Sequence, residues 1–284
     1  MGVTAYRPVN LAEALRIRAA EHAIPMAGGT DLMVKSRRHS GLAPRFERPI
    51  LFLGHLRELR YVRRYEEGEL PTLEIGAATT LADLLVAAET PVALKQAIAE
   101  MAAPAIRNVA TLVGNVCNAS PAGDTLPALY GFDAQVVLTR SQGERRVDIA
   151  RFILGPGKAD LRDDELVRAV WLSLLPFNRV HYRKVGARRA NALSKLSFLG
   201  MARLQGDVVE DLRCALGAVA PTVVRCRALE ARCIGLSRDE LAAQRADLLA
   251  GYDPLIAPID DQRSSAEYRR AVALRLLSQF LDGL

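Results

Sequence analysis

Residues 104–130 read PAIRNVATLVGNVCNASPAGDTLPALY, and the fold turns on this stretch. Thr111, Gly114, Asn115, Asn118, Ser120, Gly123 and Asp124 crowd between two apolar runs. Small polar residues and glycines gain little from burial. They let backbone wrap closely around a ligand and supply short hydrogen-bonding groups. In a chain that is 50% hydrophobic, the stretch reads as a loop. It either cradles a cofactor or is a well-ordered structural connection.

Upstream, a short buried strand over 24–27 runs into Gly28-Gly29-Thr30-Asp31-Leu32. A strand followed by GGTD predicts a tight turn with free amides and a hydroxyl, a small nest for phosphate oxygens. Paired glycines remove the Cβ atoms that would block a ligand there. Asp31 is unsuited to touch phosphate, so it caps a helix over 32–37 or meets ribose or backbone. The same residues also read as a plain strand, turn and capped helix. This is neither GxGxxG nor GxxxxGK[ST]. Lys35, Arg37, Arg38 and Arg45 follow as a solvated rim or as partners of a polyphosphate.

Further outward, Asn10 caps a helix over LAEALRIRAA, and Thr80 caps LADLLVAA. Strands are expected over 49–53, 134–139, 146–148 and 166–174, with SQGE as a hairpin turn. Leu175-Pro176 marks a boundary, because proline interrupts helix and central strand alike. The remainder is expected as a separate α+β unit. It has strands over 180–184 and 212–219, a run over 186–204 that is helical or strand-like in its later half, and an arginine-rich helix capped by Thr222. A terminal helix over 265–280 is expected to pack Tyr268, Val272, Leu276 and Phe280 on the sheet.

The chemistry is bounded by what is scattered. Cys117, Cys214, Cys226 and Cys233 show no CxxC spacing, and His22, His39, His55 and His181 are isolated, so no metal site is expected. No nucleophile–base pair or paired carboxylates stand out. The formal charge of +6 is spread among arginines beside acids, without a nucleic-acid motif. No apolar run nears the ~18 residues of a membrane span. The N-terminal residues lack a signal peptide's apolar core, so a cytoplasmic location is expected. Redox work in such a chain would come from a cofactor held largely by backbone.

Ordered blocks along almost the whole chain resemble the FAD-binding medium subunit, or equivalent domain, of molybdenum hydroxylases. This family includes xanthine, aerobic carbon monoxide and nicotinate dehydrogenases and aldehyde or isoquinoline oxidoreductases. The blocks are YRPVNLAEAL, AGGTDL, LEIGAATTLADL, IRNVATLVGNVCNASPAGDTLPAL, FILGPGK, LRDDELVRAVWL, HYRKVGARRANALSK and DDQRSSAEYRR. The resemblance implies an α+β fold of the PCMH/vanillyl-alcohol-oxidase-like type. Its FAD-binding subdomains would cover 1–60 and 61–175, followed by a smaller α+β C-terminal domain over 176–284.

It further implies that Ala27, Gly28, Gly29, Thr30, Asp31 and Leu32 wrap the FAD pyrophosphate. The family's T-I/L-G-G-N segment matches Thr111 to Asn115, with Gly114 as its second glycine. Val113 stands where relatives place the first glycine, which puts the amide geometry there in question. Ser120 and Asp124 belong to a second FAD-contacting loop, Leu166 is an apolar flavin contact, and Lys184 lies near the isoalloxazine. Tyr182 stacks on or gates the ring. The implied partners are a molybdenum-cofactor large subunit and a small subunit with two [2Fe-2S] clusters, assembled as a dimer of heterotrimers. NAD+, oxygen or another acceptor takes the electrons, and the substrate is small, such as a purine or other N-heterocycle. The competing readings are an independent flavin oxidoreductase and a structural subunit that has lost FAD.

Overall fold

A computed structural model of the chain describes residues 3–66, 68, 70–188 and 191–284. The first elements are β1 (Ala5–Tyr6), α1 (Leu11–Glu21), β2 (Ile24–Met26), α2 (Leu32–Lys35), β3 (Ile50–Phe52), β4 (Val62–Tyr65), β5 (Thr72–Gly76), α3 (Leu81–Val86) and α4 (Val92–Ala99). Next come α5 (Pro104–Arg107), α6 (Leu112–Asn118), α7 (Leu126–Gly131), β6 (Gln135–Arg140), β7 (Gly143–Asp148), α8 (Ile149–Phe152), β8 (Ile153–Gly155) and β9 (Lys158–Ala159). The last are β10 (Leu166–Ser173), β11 (Arg179–Gly186), β12 (Ser194–Gln205), β13 (Val208–Gly217), α9 (Arg227–Ala231), α10 (Arg238–Tyr252) and α11 (Ala266–Asp282). Among the described residues, no helix is long and apolar enough to cross a membrane.

Two compact units share these elements. The first comprises Met1–Thr90, Ala103–Ala119 and Ala134–Ser173. It holds a parallel sheet in the order β1-β3-β2 and an antiparallel sheet in the order β4-β5-β10-β6-β7. Asn10 starts α1 by accepting from the Glu13 N–H at 2.8 Å. Helix α3 carries a full capping box between Thr80 and Asp83. Leu73 and Ile75 of β5 and Val170 and Leu172 of β10 fill one side of the antiparallel sheet. The alternate residue Glu74 is also buried, and it accepts from Tyr61 and Tyr65 hydroxyls and from Arg168. Burial alone would raise its carboxyl pKa, but the Tyr65 and Arg168 donors bring it below the usual value.

The second unit comprises Pro91–Ala102, Ser120–Asp133 and Leu174–Leu284. Its antiparallel sheet, β11-β12-β13, is covered on both faces. Helix α7 packs where Leu199 and Met201 point, because a Cβ on Gly131 would sit 2.5 Å from Leu199. Helix α11 packs on the opposite face, where a Cβ on Gly200 would strike the Phe280 ring at 2.5 Å. Segments 91–102 and 120–133 therefore belong to the core of this C-terminal sheet. The carbonyls ending α7 are met by guanidinia: Arg213 Nη1 donates to Gly131 O at 2.7 Å, and Arg225 Nη1 to Tyr130 O at 2.5 Å. Cations at a helix C-terminus satisfy unpaired carbonyls and oppose the helix dipole.

Several sequence expectations change. The 104–130 stretch is not a loop but carries α5, α6 and α7. Thr111 acts locally, accepting from the Gly114 N–H at 3.0 Å to cap α6. Val113 sits in the first turn of α6 with 6% exposure, a helical position that needs no glycine freedom. Asp31 precedes α2 without a side-chain cap bond. Thr222 caps nothing: α9 starts later, after Cys226, because Val224 bridges to Leu216 instead. The 186–204 run is strand from Ser194 onward, with Arg189 and Ala190 outside the described residues. Tyr268 is exposed, under the Lys195 ammonium, and Ala273 and Leu277 join Leu276 and Phe280 in the core instead.

The approach to α11 has a pH-dependent component. Asp261 accepts from Arg269 Nη2 at 2.6 Å and from the N–H groups of Arg263 and Ser264 at 2.8 and 3.1 Å. The Arg269 guanidinium, helped by these backbone donors, holds its carboxyl down at about 2. A depressed folded pKa gives stability that is full above about pH 4 and fades as pH falls toward about 2. Asp261→Asn should therefore lie below wild type in Tm at neutral pH, with the gap closing across that acid window. A gap that stays constant to the acid end would refute this role.

Candidate functional site

In the first unit, β2 ends at Met26, whose carbonyl accepts from the Leu53 N–H at 2.9 Å. The chain then turns sharply, with Gly29 at φ +69, and α2 begins as Met33 N–H donates to Gly29 O at 2.9 Å. Gly28 is glycine for a reason different from the one expected. A Cβ there would lie 1.9 Å from Val109 O and 2.9 Å from Ala110 Cα, so the turn is pressed on the protein's own backbone. The adjoining Ala110 carbonyl accepts from Leu81 N–H at 2.8 Å, Thr111 bridges to Thr80, and α6 starts. Lys35 of α2 donates to Asn118 Oδ1 at the far end of α6. The sequence-predicted residues 27–32 and 111–115 are thus brought together.

The Gly28–Asp31 turn is suited to an anion. Among the described residues, the N–H groups of Gly28 and Thr30 donate to no protein acceptor. The turn from Ala27 to Thr30 is half-buried, and Asp31 is exposed. Free amides on a half-shielded turn bind anionic oxygens by dipole and hydrogen bond without a formal cation. Gly114 is exposed beside Thr111, and a Cβ on it would sit 2.9 Å from the capping Oγ1.

In the second unit, Asp124 lies just before α7, buried, with both carboxyl oxygens engaged. Oδ2 accepts from Lys184 Nζ at 2.7 Å, and Oδ1 accepts from Ser194 Oγ at 2.5 Å. Lys184 also donates to Glu100 O at 2.9 Å. Tyr182, two residues before Lys184 on β11 and so on the same side of the strand, donates its hydroxyl to Asp124 O at 3.0 Å. Burial raises the Asp124 carboxyl pKa, against the pull of Lys184 and Ser194. Burial likewise pushes the Tyr182 phenol well up, next to Asp124. Tyr182 is 7% exposed and its hydroxyl is committed, so it braces this cluster.

Other predicted residues stand apart from these clusters. Leu166 begins β10 with 1% exposure, paired with Thr139, its side chain in the core. Ser120 Oγ accepts from the Ala122 N–H at 3.3 Å in a local turn. Burial pushes the Cys117 thiol up to about 12, which removes it as a nucleophile at neutral pH. Among the described residues, no group of three His, Cys, Asp or Glu could hold a metal ion. Sequence reasoning missed Ser194. It lies 70 residues from Asp124, near the end of the HYRKVGARRANALSK block, where nothing sets the serine apart from the residues around it.

Comparison with known proteins matches both parts of the chain. Residues 1–173 match the FAD binding domain in molybdopterin dehydrogenase, and residues 181–284 match the CO dehydrogenase flavoprotein C-terminal domain. The chain therefore belongs to the family of FAD-binding subunits of the molybdopterin-dependent xanthine oxidase and CO dehydrogenase type. Its general role is FAD-binding electron transfer within an oxidoreductase complex of the molybdenum hydroxylase type.

It is 33% identical over 273 residues to the xanthine dehydrogenase FAD-binding subunit of Escherichia coli O157:H7, covering 93% of this chain and 89% of that one. The glyceraldehyde dehydrogenase medium chain of Sulfolobus acidocaldarius is 31% identical, with 94% and 92% covered. Among solved structures, the reconstituted CO dehydrogenase from Oligotropha carboxidovorans shares the fold, with a TM-score of 0.86 at 23% identity. That match covers 98% of this chain and 96% of the other. The α+β architecture expected from the resemblance, with mixed sheets followed by a smaller C-terminal domain, is the one these neighbours share.

Proposed function

We propose that this chain carries FAD and relays electrons for a molybdenum hydroxylase, taking them from [2Fe-2S] clusters of a small partner subunit. A molybdenum-cofactor large subunit hydroxylates a small substrate, and NAD+, oxygen or another acceptor receives the electrons. The observation that carries the reading is the Gly28–Asp31 turn, with unclaimed amides pressed on the 109–111 backbone, in a chain that matches the family from end to end. Half-buried amides at Gly28 and Thr30, with the Asp31 carboxylate exposed, fit the pyrophosphate of FAD. Bound FAD supplies the conversion between one-electron donors and a one- or two-electron acceptor.

The chain's own residues then have separate tasks. The Gly28 and Thr30 amides, with Thr30 Oγ1, bind phosphate oxygens. Thr111, Gly114 and Asn115 fix the start of α6 against that turn. Lys184 offers a cation that opposes negative charge gathering on the electron-loaded ring. Asp124 acts through Lys184, since both its oxygens are already engaged. Relatives named for xanthine, glyceraldehyde and carbon monoxide support placing substrate choice in the large subunit. A purine or other N-heterocycle is the substrate class we favour, in the cytoplasm, with a dimer of heterotrimers as the assembly. Native purification tests the whole reading. The expected result is a flavin spectrum with molybdenum- and iron–sulfur-bearing chains in equal amounts, and flavin-free complex would defeat it.

A further inference from the structure

One face of the antiparallel sheet in the first unit carries chemistry that the electron-relay role leaves unused. Leu73, Ile75, Val170 and Leu172 fill the core side. On the other side, strand pairing sets Arg63, Glu74, Trp171 and Gln135 in one row. Tyr65 of β4 and Arg146 of β7 stand on that same side. Trp171 lies on β10, the middle strand. Tyr65 reaches it from one edge of the sheet and stacks on the indole, with centroids 5.4 Å apart and planes 12° apart. Arg146 reaches it from the other edge, its Cζ 3.8 Å from the ring centroid. Arg63 folds over the Tyr61 ring at 4.3 Å. Beneath them, buried Glu74 accepts from both tyrosine hydroxyls and from Arg168, which holds the row in place.

Among the described residues, the acids of this face are already engaged. Glu74 and Glu144 hold Arg168, and Asp148 accepts from Gln135 at 3.4 Å. On the opposite side of the sheet, Arg64 and Arg145 pair with Glu66 and Glu165. Arg63 and Arg146 are exposed and, among the described residues, pair with no acid. A guanidinium lying flat on a ring keeps its N–H edge free, so its charge and forked donor geometry stay open to a carboxylate. Stacking also removes in advance rotamer freedom that binding would otherwise cost. Trp, Tyr and Arg are the residue types that dominate binding hot spots. A second copy of this chain, docked face to face, would set like cations against each other. A nucleic-acid base would find both faces of the indole taken. We propose that the Arg63–Tyr65–Trp171–Arg146 face docks an acidic segment of another chain of the oxidoreductase complex. One carboxylate meets each arginine, and an apolar side chain covers the indole edge between them. This rests on the multi-chain reading above and is independent of the flavin.

Arginine-selective labelling with phenylglyoxal, read by mass spectrometry, tests this on the natively purified complex and on the full chain separated from it. Arg63 and Arg146 should label about tenfold more slowly in the complex, the protection expected when an exposed guanidinium gains a docked carboxylate. Arg64, on the other side of β4, is the internal reference. Reassembly of the full chain with its partner chains supplies a second readout. Arg63→Ala combined with Arg146→Ala should weaken it by about thirtyfold or more, the size of a hot-spot loss, and should flatten its salt dependence. Arg63→Lys with Arg146→Lys, which keeps both charges, should recover part of the loss. Equal labelling in complex and separated chain overturns the proposal, and so does a double alanine variant that reassembles like wild type. Protection that persists in the separated chain through self-association assigns the face to a second copy and overturns it. Protection that vanishes on nuclease treatment assigns it to nucleic acid, with the same consequence. A complex without flavin defeats the FAD reading alone, because labelling and reassembly need no flavin. A chain that purifies natively with no partner defeats the multi-chain reading and this proposal with it.

Discussion

Gly28→Ala should leave the purified chain without flavin and lower its melting temperature. The added Cβ would lie 1.9 Å from Val109 O, 2.6 Å from Val109 C and 2.9 Å from Ala110 Cα. All three atoms are backbone, so no side chain can swing aside. Either the turn lifts from the 109–111 segment or that segment moves and carries the start of α6 with it. Overpacking of this kind costs ~1–3 kcal/mol, and here the upper end applies. The neighbouring glycine behaves differently. At Gly29 the nearest atom is the flexible Met26 Sδ at 3.0 Å, and the obstacle is its φ of +69. Gly29→Ala should cost about 1–2 kcal/mol of backbone strain and lose less flavin than Gly28→Ala. Flavin-to-protein ratios and thermal melts for the two variants check this. Full flavin content in Gly28→Ala would refute the docking of the turn.

Lys184→Met should be costly to stability as well as to the flavin. A lysine that only tuned a cofactor could be removed with little effect on folding. Lys184 instead neutralises a buried carboxylate, and removing one partner of such a pair costs ~3–5 kcal/mol. The deficit has a predictable pH dependence. An unpaired buried Asp124 has a folded pKa raised further above its unfolded value, so protonation favours the folded state. The gap to wild type should be widest at neutral pH and should shrink as pH falls toward the unfolded carboxyl value near ~4. Adding Asp124→Asn should recover much of the loss at neutral pH. Denaturant unfolding across pH would measure all of this, and a pH-independent deficit would show that the pair is not what stabilises this end of α7.

What could be read from sequence was local. Asn10 before α1, the Thr80–Asp83 capping box and the SQGE hairpin between β6 and β7 each announce themselves within a few residues, because cap and turn chemistry is short-range. The glycine turn after β2 was legible for the same reason. The helical character of 104–130 was not. Its helices are short, and Thr111, Asn118 and Ser120 look like loop residues until their hydrogen bonds are seen. The reason for Gly28 depends on a segment more than 80 positions away. Asp124 was found, but its partner Ser194 and the Arg213 and Arg225 clamps on α7 were not, since contacts across such separations leave no periodicity or motif.

The interleaving of α4 and α7 with the C-terminal sheet bears on synthesis and on protein engineering. The chain passes between its two units at 90/91, 102/103, 119/120, 133/134 and 173/174. On a ribosome, both helices emerge long before the strands that will cover their apolar sides, and they must wait unburied, α4 for β11 and α7 for β12 and β13. A fragment cut at the apparent proline boundary would fare worse. It would retain the sheet and α9 to α11 but expose the face of Leu199 and Met201, a candidate for aggregation. Swapping flavin modules between relatives therefore requires exchanging the whole chain, or carrying residues 91–102 and 120–133 along with the C-terminal piece.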